Sequence, residues 1–108
     1  LMLSHKARVD DLAIALQADN VRKARFRSRP FAATDNVRRG LADVKVPLTT
    51  IWGARDVVGY PTVESCIAIL REFHPELVAE TIPDAGHWVM YEQPEAFNAA
   101  LRRMLALE

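Results

Sequence analysis

The sequence predicts an α/β fold, and three observations predict it. From Pro47 onward the residue pattern runs strand, helix, strand, helix. The strand-like runs at 48–52 and 77–82 are separated by a crossover long enough to hold a helix, which makes the two strands parallel. Each change of texture falls on a breaker: Gly53, Pro61, Pro75, Pro83 or Pro94.

Val9, Leu12, Ala13 and Leu16 recur at helical spacing and predict an amphipathic helix over 6–21. Residues 22–33 read as its continuation, broken before Pro30, because proline disfavours helical backbone in the residue ahead of it. Thr34 is a candidate N-cap for a short helix over 35–42, with Asp35 in the first turn, where the dipole favours negative charge. The run Leu48-Thr49-Thr50-Ile51-Trp52 is β-branched and aromatic and stops at Gly53, as a buried strand does. Pro61 suits the first position of the next helix, whose Val63, Cys66, Ile67, Leu70 and Phe73 form one apolar stripe. His74-Pro75 ends it. The second strand stops at Pro83, a loop occupies 83–93, and a last helix starts at Pro94 with Phe97, Ala100, Leu101, Met104 and Leu105 on one face. Two parallel strands need cover on both faces and are marginal alone, so the unit reads as the end of a larger sheet.

Composition excludes several classes. Half of the 108 residues are apolar, too many for wholesale disorder. No apolar run approaches the roughly 18 residues that span a bilayer, and there is no targeting segment, which leaves the cytoplasm as the default expectation. The single Cys66 rules out an intrachain disulfide framework and a multi-cysteine zinc site. The net charge of zero hides an asymmetry: residues 1–45 carry ten basic and five acidic side chains, and the remainder four and nine. The densest basic stretch, 22–29, has only Phe26 and Phe31 as aromatic neighbours and no nucleic-acid-binding motif around it. It is read as a solvated helix face or a surface against another part of the same protein, not as a phosphate-binding patch. The chain opens on Leu1-Met2, so the expectation is a piece of a longer protein.

In open α/β sheets the chemistry collects at the C-terminal ends of the strands. Asp56 follows the first strand by four residues, and His87 follows the second in the loop Pro83-Asp84-Ala85-Gly86-His87-Trp88. Parallel neighbours bring both loops to one rim. An aspartate and a histidine there are the parts of a general base with its orienting carboxylate. Gly86 is expected to give the backbone an unusual turn ahead of the histidine. Asp84 competes for a catalytic role but sits in a turn, where its side chain is expected to cap the backbone. His5 falls in a terminus read as unanchored, and His74 ends a helix at the opposite rim. Cys66 lies in an apolar stripe and reads as a small core residue. Trp88 is a candidate pocket-lining residue and equally a candidate for packing. No cluster has metal-ligand spacing.

At these residues the chain resembles a known family. Val46-Pro47 through Ile51-Trp52-Gly53-Ala54-Arg55-Asp56 is similar to the penultimate strand and acid loop of the α/β-hydrolase fold. Ile82-Pro83-Asp84-Ala85-Gly86-His87-Trp88, followed by Glu92-Gln93-Pro94-Glu95-Ala96-Phe97, is similar to its histidine loop and closing helix. The likeness is to cap-containing members such as the C–C bond hydrolases, haloalkane dehalogenases and epoxide hydrolases. It implies two parts: residues 1–43 as helices from the end of the cap, and 44–108 as the C-terminal strand-helix-strand-helix of the hydrolase sheet. It implies Asp56 as catalytic acid and His87 as catalytic base, a small-molecule substrate in the full-length enzyme, no cofactor or metal, and no nucleic acid or membrane partner. The oligomeric state stays open.

The family's nucleophile sits in a glycine-bracketed strand–turn–helix elbow that precedes the acid and the histidine in the chain. No pair among Gly40, Gly53, Gly59 and Gly86 brackets a serine or aspartate in that way, and there is no glycine-rich oxyanion loop. The expectation is therefore a hydrolase portion that is inactive alone, with serine or aspartate as the absent nucleophile and the bond hydrolysed left open. The alternative is a non-catalytic binding or assembly module derived from the same fold, using its basic helix and sheet edge.

Overall fold

The structure, a computed structural model, describes residues 2–28, 30 and 34–106. A short 3-10 turn, Lys6–Arg8, precedes α1 (Asp11–Lys23). Then come α2 (Asn36–Leu41), β1 (Thr49–Gly53), α3 (Val63–Phe73), β2 (Val78–Ile82), α4 (Val89–Glu92) and α5 (Pro94–Met104). Helices and strands are mixed. Among the described residues the sheet has two strands, paired in parallel with Thr49 opposite Val78 and Gly53 opposite Ile82.

The sheet is covered on both faces, because successive side chains of a strand point to opposite sides. On one face Ile82 packs with Ala85, Val89 and Ala100, joined by Ile51 and Phe97, which brings α5 onto the sheet. On the other, Val63 and Ile67 of α3 pack with Leu77, joined by Leu48, Trp52, Leu70 and Ala79. Ile51 and Trp52 are adjacent in sequence and serve opposite clusters, as do Ala79 and Ile82, three residues apart. This is the layering that an α/β pattern requires.

Several elements differ from expectation for local reasons. The first helix begins at Asp11, not residue 6, because Asp10 accepts the Ala13 N–H at 2.8 Å and caps it. Val9 therefore lies outside the helix, and the expected apolar stripe is mostly uncovered: Ala13 is buried, whereas Leu12 is 59 % exposed. Residues 24–28 continue with no regular element; the rest of the expected continuation, save Pro30, lies outside the described residues.

Thr34 Oγ1 accepts the Asn36 N–H at 3.4 Å, one residue earlier than a cap on α2. Pro61 precedes α3 instead of opening it. Thr62 is the cap, accepting the Ser65 N–H at 3.1 Å while Ser65 Oγ receives the Thr62 N–H at 3.2 Å. That reciprocal pair satisfies two donors which a bare helix start leaves open. Within the expected loop 83–93 a single helical turn, α4, forms.

The uneven charge has a structural counterpart. Arg8 pairs with Asp84 and Glu92, and Arg38 with Glu72, so cations of the basic first part meet anions of the acidic remainder. Arg22 and Lys23 are exposed and both pair with Asp19 on their own helix. No helix of the described residues is long and apolar enough to cross a membrane.

Candidate functional site

Beyond the last ladder pair the two strands stay joined through their loops. Ala54 N–H donates to the Ile82 carbonyl at 2.9 Å, and Arg55 N–H to the Ala85 carbonyl at 2.8 Å. The acid loop is thereby laid along the histidine loop. Gly53 makes the contact possible: a Cβ there would lie 2.2 Å from the Gly86 carbonyl oxygen and 2.4 Å from that of Ala85. The chain tightens again as Asp56 N–H donates to the Gly53 carbonyl at 3.1 Å.

This brings the two candidate site residues together. His87 Nδ1–H donates to Asp56 Oδ2 at 2.9 Å. The other carboxylate oxygen accepts the Val58 N–H at 2.8 Å, a local turn that fixes the carboxylate plane. The Asp56 side chain is 5 % exposed and the His87 ring 39 %. The carboxylate is buried and the imidazole half-open. The carboxylate fixes the tautomer with the proton on Nδ1, which leaves the Nε2 lone pair as the basic atom. Among the described residues His87 makes no other side-chain hydrogen bond, so Nε2 is free to act on a ligand.

A cleft of about 630 Å³ contains the pair and is walled by Trp52, Trp88, Phe97 and Leu16. A larger one, about 870 Å³, lies between α1 and the acid loop, with Ala13, Ile14, Val57 and Val58 among its walls. Trp88 borders both. Its ring also stacks obliquely on Tyr91, with centroids 6.0 Å apart, so it packs and lines at once.

The histidine loop differs from expectation at Gly86 and Asp84. Gly86 has no positive φ; the left-handed residue is Asp84, at φ 57°. Aspartate tolerates that region better than most side chains do. The glycine is needed at 86 for close approach, since a Cβ there would meet Ser4 N at 2.8 Å and the Met2 carbonyl oxygen at 3.0 Å. Asp84 is an ion-pair hub in place of a backbone cap. His5 reaches it at 2.5 Å, Arg8 at 2.8 Å and Arg55 at 3.4 Å, and the first two hold its carboxyl below the usual range. His5 is accordingly anchored, contrary to the reading of a loose terminus. His74 caps α3 and donates from Nε2 to the Leu41 carbonyl at 3.2 Å, away from the pair. Cys66 is half-buried on α3.

Sequence reasoning missed the segment behind the loop. Trp88 N–H donates to the Met2 carbonyl at 3.0 Å. Glu92 accepts the N–H and the hydroxyl of Ser4, at 2.8 and 2.7 Å, and the Gly86 N–H at 2.5 Å. Tyr91 Oη–H donates to Asp10 Oδ1 at 2.5 Å, tying α4 to the cap of α1 and lowering the Asp10 carboxyl. The one sequence-level signal was polarity, a charged Glu92 two residues before a proline-opened helix. Its partners Ser4 and Arg8 are more than 80 positions away in the chain, beyond the reach of local pattern.

Among the described residues no group of three or more His, Cys, Asp or Glu side chains is placed to hold a metal ion. No family model, curated protein or solved structure matches the chain.

Proposed function

We propose that this chain is the C-terminal portion of an α/β-hydrolase, with His87 as general base and Asp56 as the carboxylate that orients it. The observation that carries the reading is the 2.9 Å bond between His87 Nδ1 and Asp56 Oδ2, made from loops that leave adjacent parallel strands at the same rim. In the reaction Nε2 takes a proton either from a nucleophilic hydroxyl or from the water that cleaves an ester intermediate. Asp56 stabilises the imidazolium that results. The nucleophile and the oxyanion donors come from outside these 108 residues, and the chain by itself is inactive. Residues 1–43 belong to the cap of such an enzyme and 44–108 to its core. The substrate is a small molecule bound in the clefts beside Trp88, with no cofactor. The cytoplasm is the proposed compartment.

The test uses the complete protein and a panel of p-nitrophenyl esters, styrene oxide and 1-bromobutane. His87→Ala should lower turnover of whichever probe is hydrolysed by about 10³-fold or more, with the fold retained. Unaltered turnover in that variant overturns the assignment, as does a complete sequence with no elbow nucleophile upstream of Asp56.

The second reading is a non-catalytic binding module. The uncovered apolar residues of α1, Leu12, Ile14 and Val21, favour it. Hydrolysis that depends on His87 excludes it.

A further inference from the structure

We infer that Glu92 is a positioning residue for His87, acting through the Gly86 N–H; the inference rests on the proposed role of His87. The ring is 39 % exposed, so side-chain packing alone does not hold Nδ1 against Asp56. Its position is set by the backbone on either side, and both flanking N–H groups are tied down. Ahead of it, Gly86 N–H donates to Glu92 Oε2 at 2.5 Å. Behind it, Trp88 N–H donates to the Met2 carbonyl at 3.0 Å. The histidine is thus suspended between two anchors.

Glu92 has the chemistry for its part. Its side chain is 0 % exposed, and burial by itself pushes a carboxyl towards the neutral form. Hydrogen bonds from the Ser4 hydroxyl, from the Gly86 and Ser4 N–H groups and from Arg8 outweigh that, and the carboxyl lies below its ordinary value. The group is therefore an anion that accepts only, with one oxygen given to Gly86 and the other to Ser4 and, at 3.4 Å, to Arg8. Charge-assisted bonds of this kind are stronger than neutral ones and directional, which suits the holding of one backbone atom. A side chain at 86 would crowd this contact: a Cβ would stand 2.8 Å from the Ser4 backbone nitrogen and 3.1 Å from Glu92 Oε2.

The experiment reads the His87 ring directly and needs no substrate, so its outcome is independent of whether turnover depends on His87. The protein is labelled with ¹⁵N-histidine and its imidazole nitrogens are followed by NMR. The unsubstituted protein should show His87 as the Nδ1–H tautomer. In Glu92→Gln the single carbonyl oxygen goes to the two donors of Ser4, and the amide group confronts the Gly86 N–H, donor against donor. The expected result is loss of the Nδ1–H signature at His87 while the His74 signals stay in place. Ser4→Ala removes only the hydroxyl donor and should preserve the tautomer. A Glu92→Gln protein that keeps the Nδ1–H tautomer overturns the inference. So does an equal loss in Ser4→Ala, since Glu92 would then act through the first residues and not through Gly86. Should Glu92→Gln fail to fold, amide exchange in the unsubstituted protein decides: Gly86 should be among the slow amides, and exchange at the rate of an open loop overturns the inference.

Discussion

Gly53 ends β1 in contact with the Gly86 carbonyl, at a distance where no side chain fits. Gly53→Ala would drive a methyl into two backbone carbonyls that cannot rotate away. We expect a loss of at least about 1–3 kcal/mol, the usual range for overpacking. The acid loop should also shift, so turnover should fall along with thermal stability. Alanine tolerated at 53 without change in either would show that the two loops can separate at no cost.

Asp56→Asn keeps the shape of the acid but presents an amide to His87. With the wrong tautomer favoured, turnover of the complete protein should fall by up to about 10⁴-fold, the loss seen for this exchange in a comparable triad. Substrate affinity should change little, because the side chain is buried behind the ring. A kcat unaffected by the amide would remove Asp56 from the mechanism.

Ile82 is 4 % exposed and packs with Ala85, Val89 and Ala100 directly under the histidine loop. Truncation to alanine should cost about 2–5 kcal/mol in chemical denaturation. Val37 is 76 % exposed, and Val37→Ala should stay within about 0.5 kcal/mol. Equal effects at the two positions would contradict the core described above.

Asp84 is held below the ordinary carboxylate range by His5 and Arg8, and Glu92 by Ser4, the Gly86 N–H and Arg8. A carboxyl depressed in the folded state contributes stability that is complete above its unfolded pKa, about 4, and is lost as the pH falls through the folded value. The joint between residues 2–8 and the histidine loop should therefore hold from neutrality down to about pH 4.5 and open below about pH 4. Exchange of the Trp88 and Ser4 amides reports it. Opening already at pH 6 would mean that other groups control the joint.

Thr62→Ala removes half of the reciprocal cap on α3 and should lower the unfolding free energy by about 0.5–2 kcal/mol. Ser65→Ala should cost a similar amount, and the double variant less than the sum, because both act on one pair of bonds.

What could be read from sequence was whatever repeats locally. The strands at Thr49–Gly53 and Val78–Ile82 and the helix from Pro94 follow from side-chain period and breakers, and each lies within one residue of expectation. The caps at Asp10 and Thr62 were overlooked because an apolar stripe and a proline gave competing signals for where a helix starts. Asp56 and His87 were singled out because a parallel crossover places two strand ends side by side. The roles of His5, Arg8 and Glu92 were not legible, since each depends on a partner 76 to 88 residues distant. Gly86 shows the same limit: glycine marks a special backbone position, but only the fold tells a turn from a close approach.

The attachment of residues 2–8 to the histidine loop makes the continuity of the chain a condition for the pair. Between them runs the exposed stretch 24–28, which holds Arg25 and Arg27 and no regular element. While the chain is whole, Ser4 meets Glu92 at the high effective concentration of a tethered partner. A single tryptic cut after either arginine would turn that meeting into a bimolecular association, sensitive to dilution. His87 would then lose an anchor through damage to a peptide bond some sixty residues away.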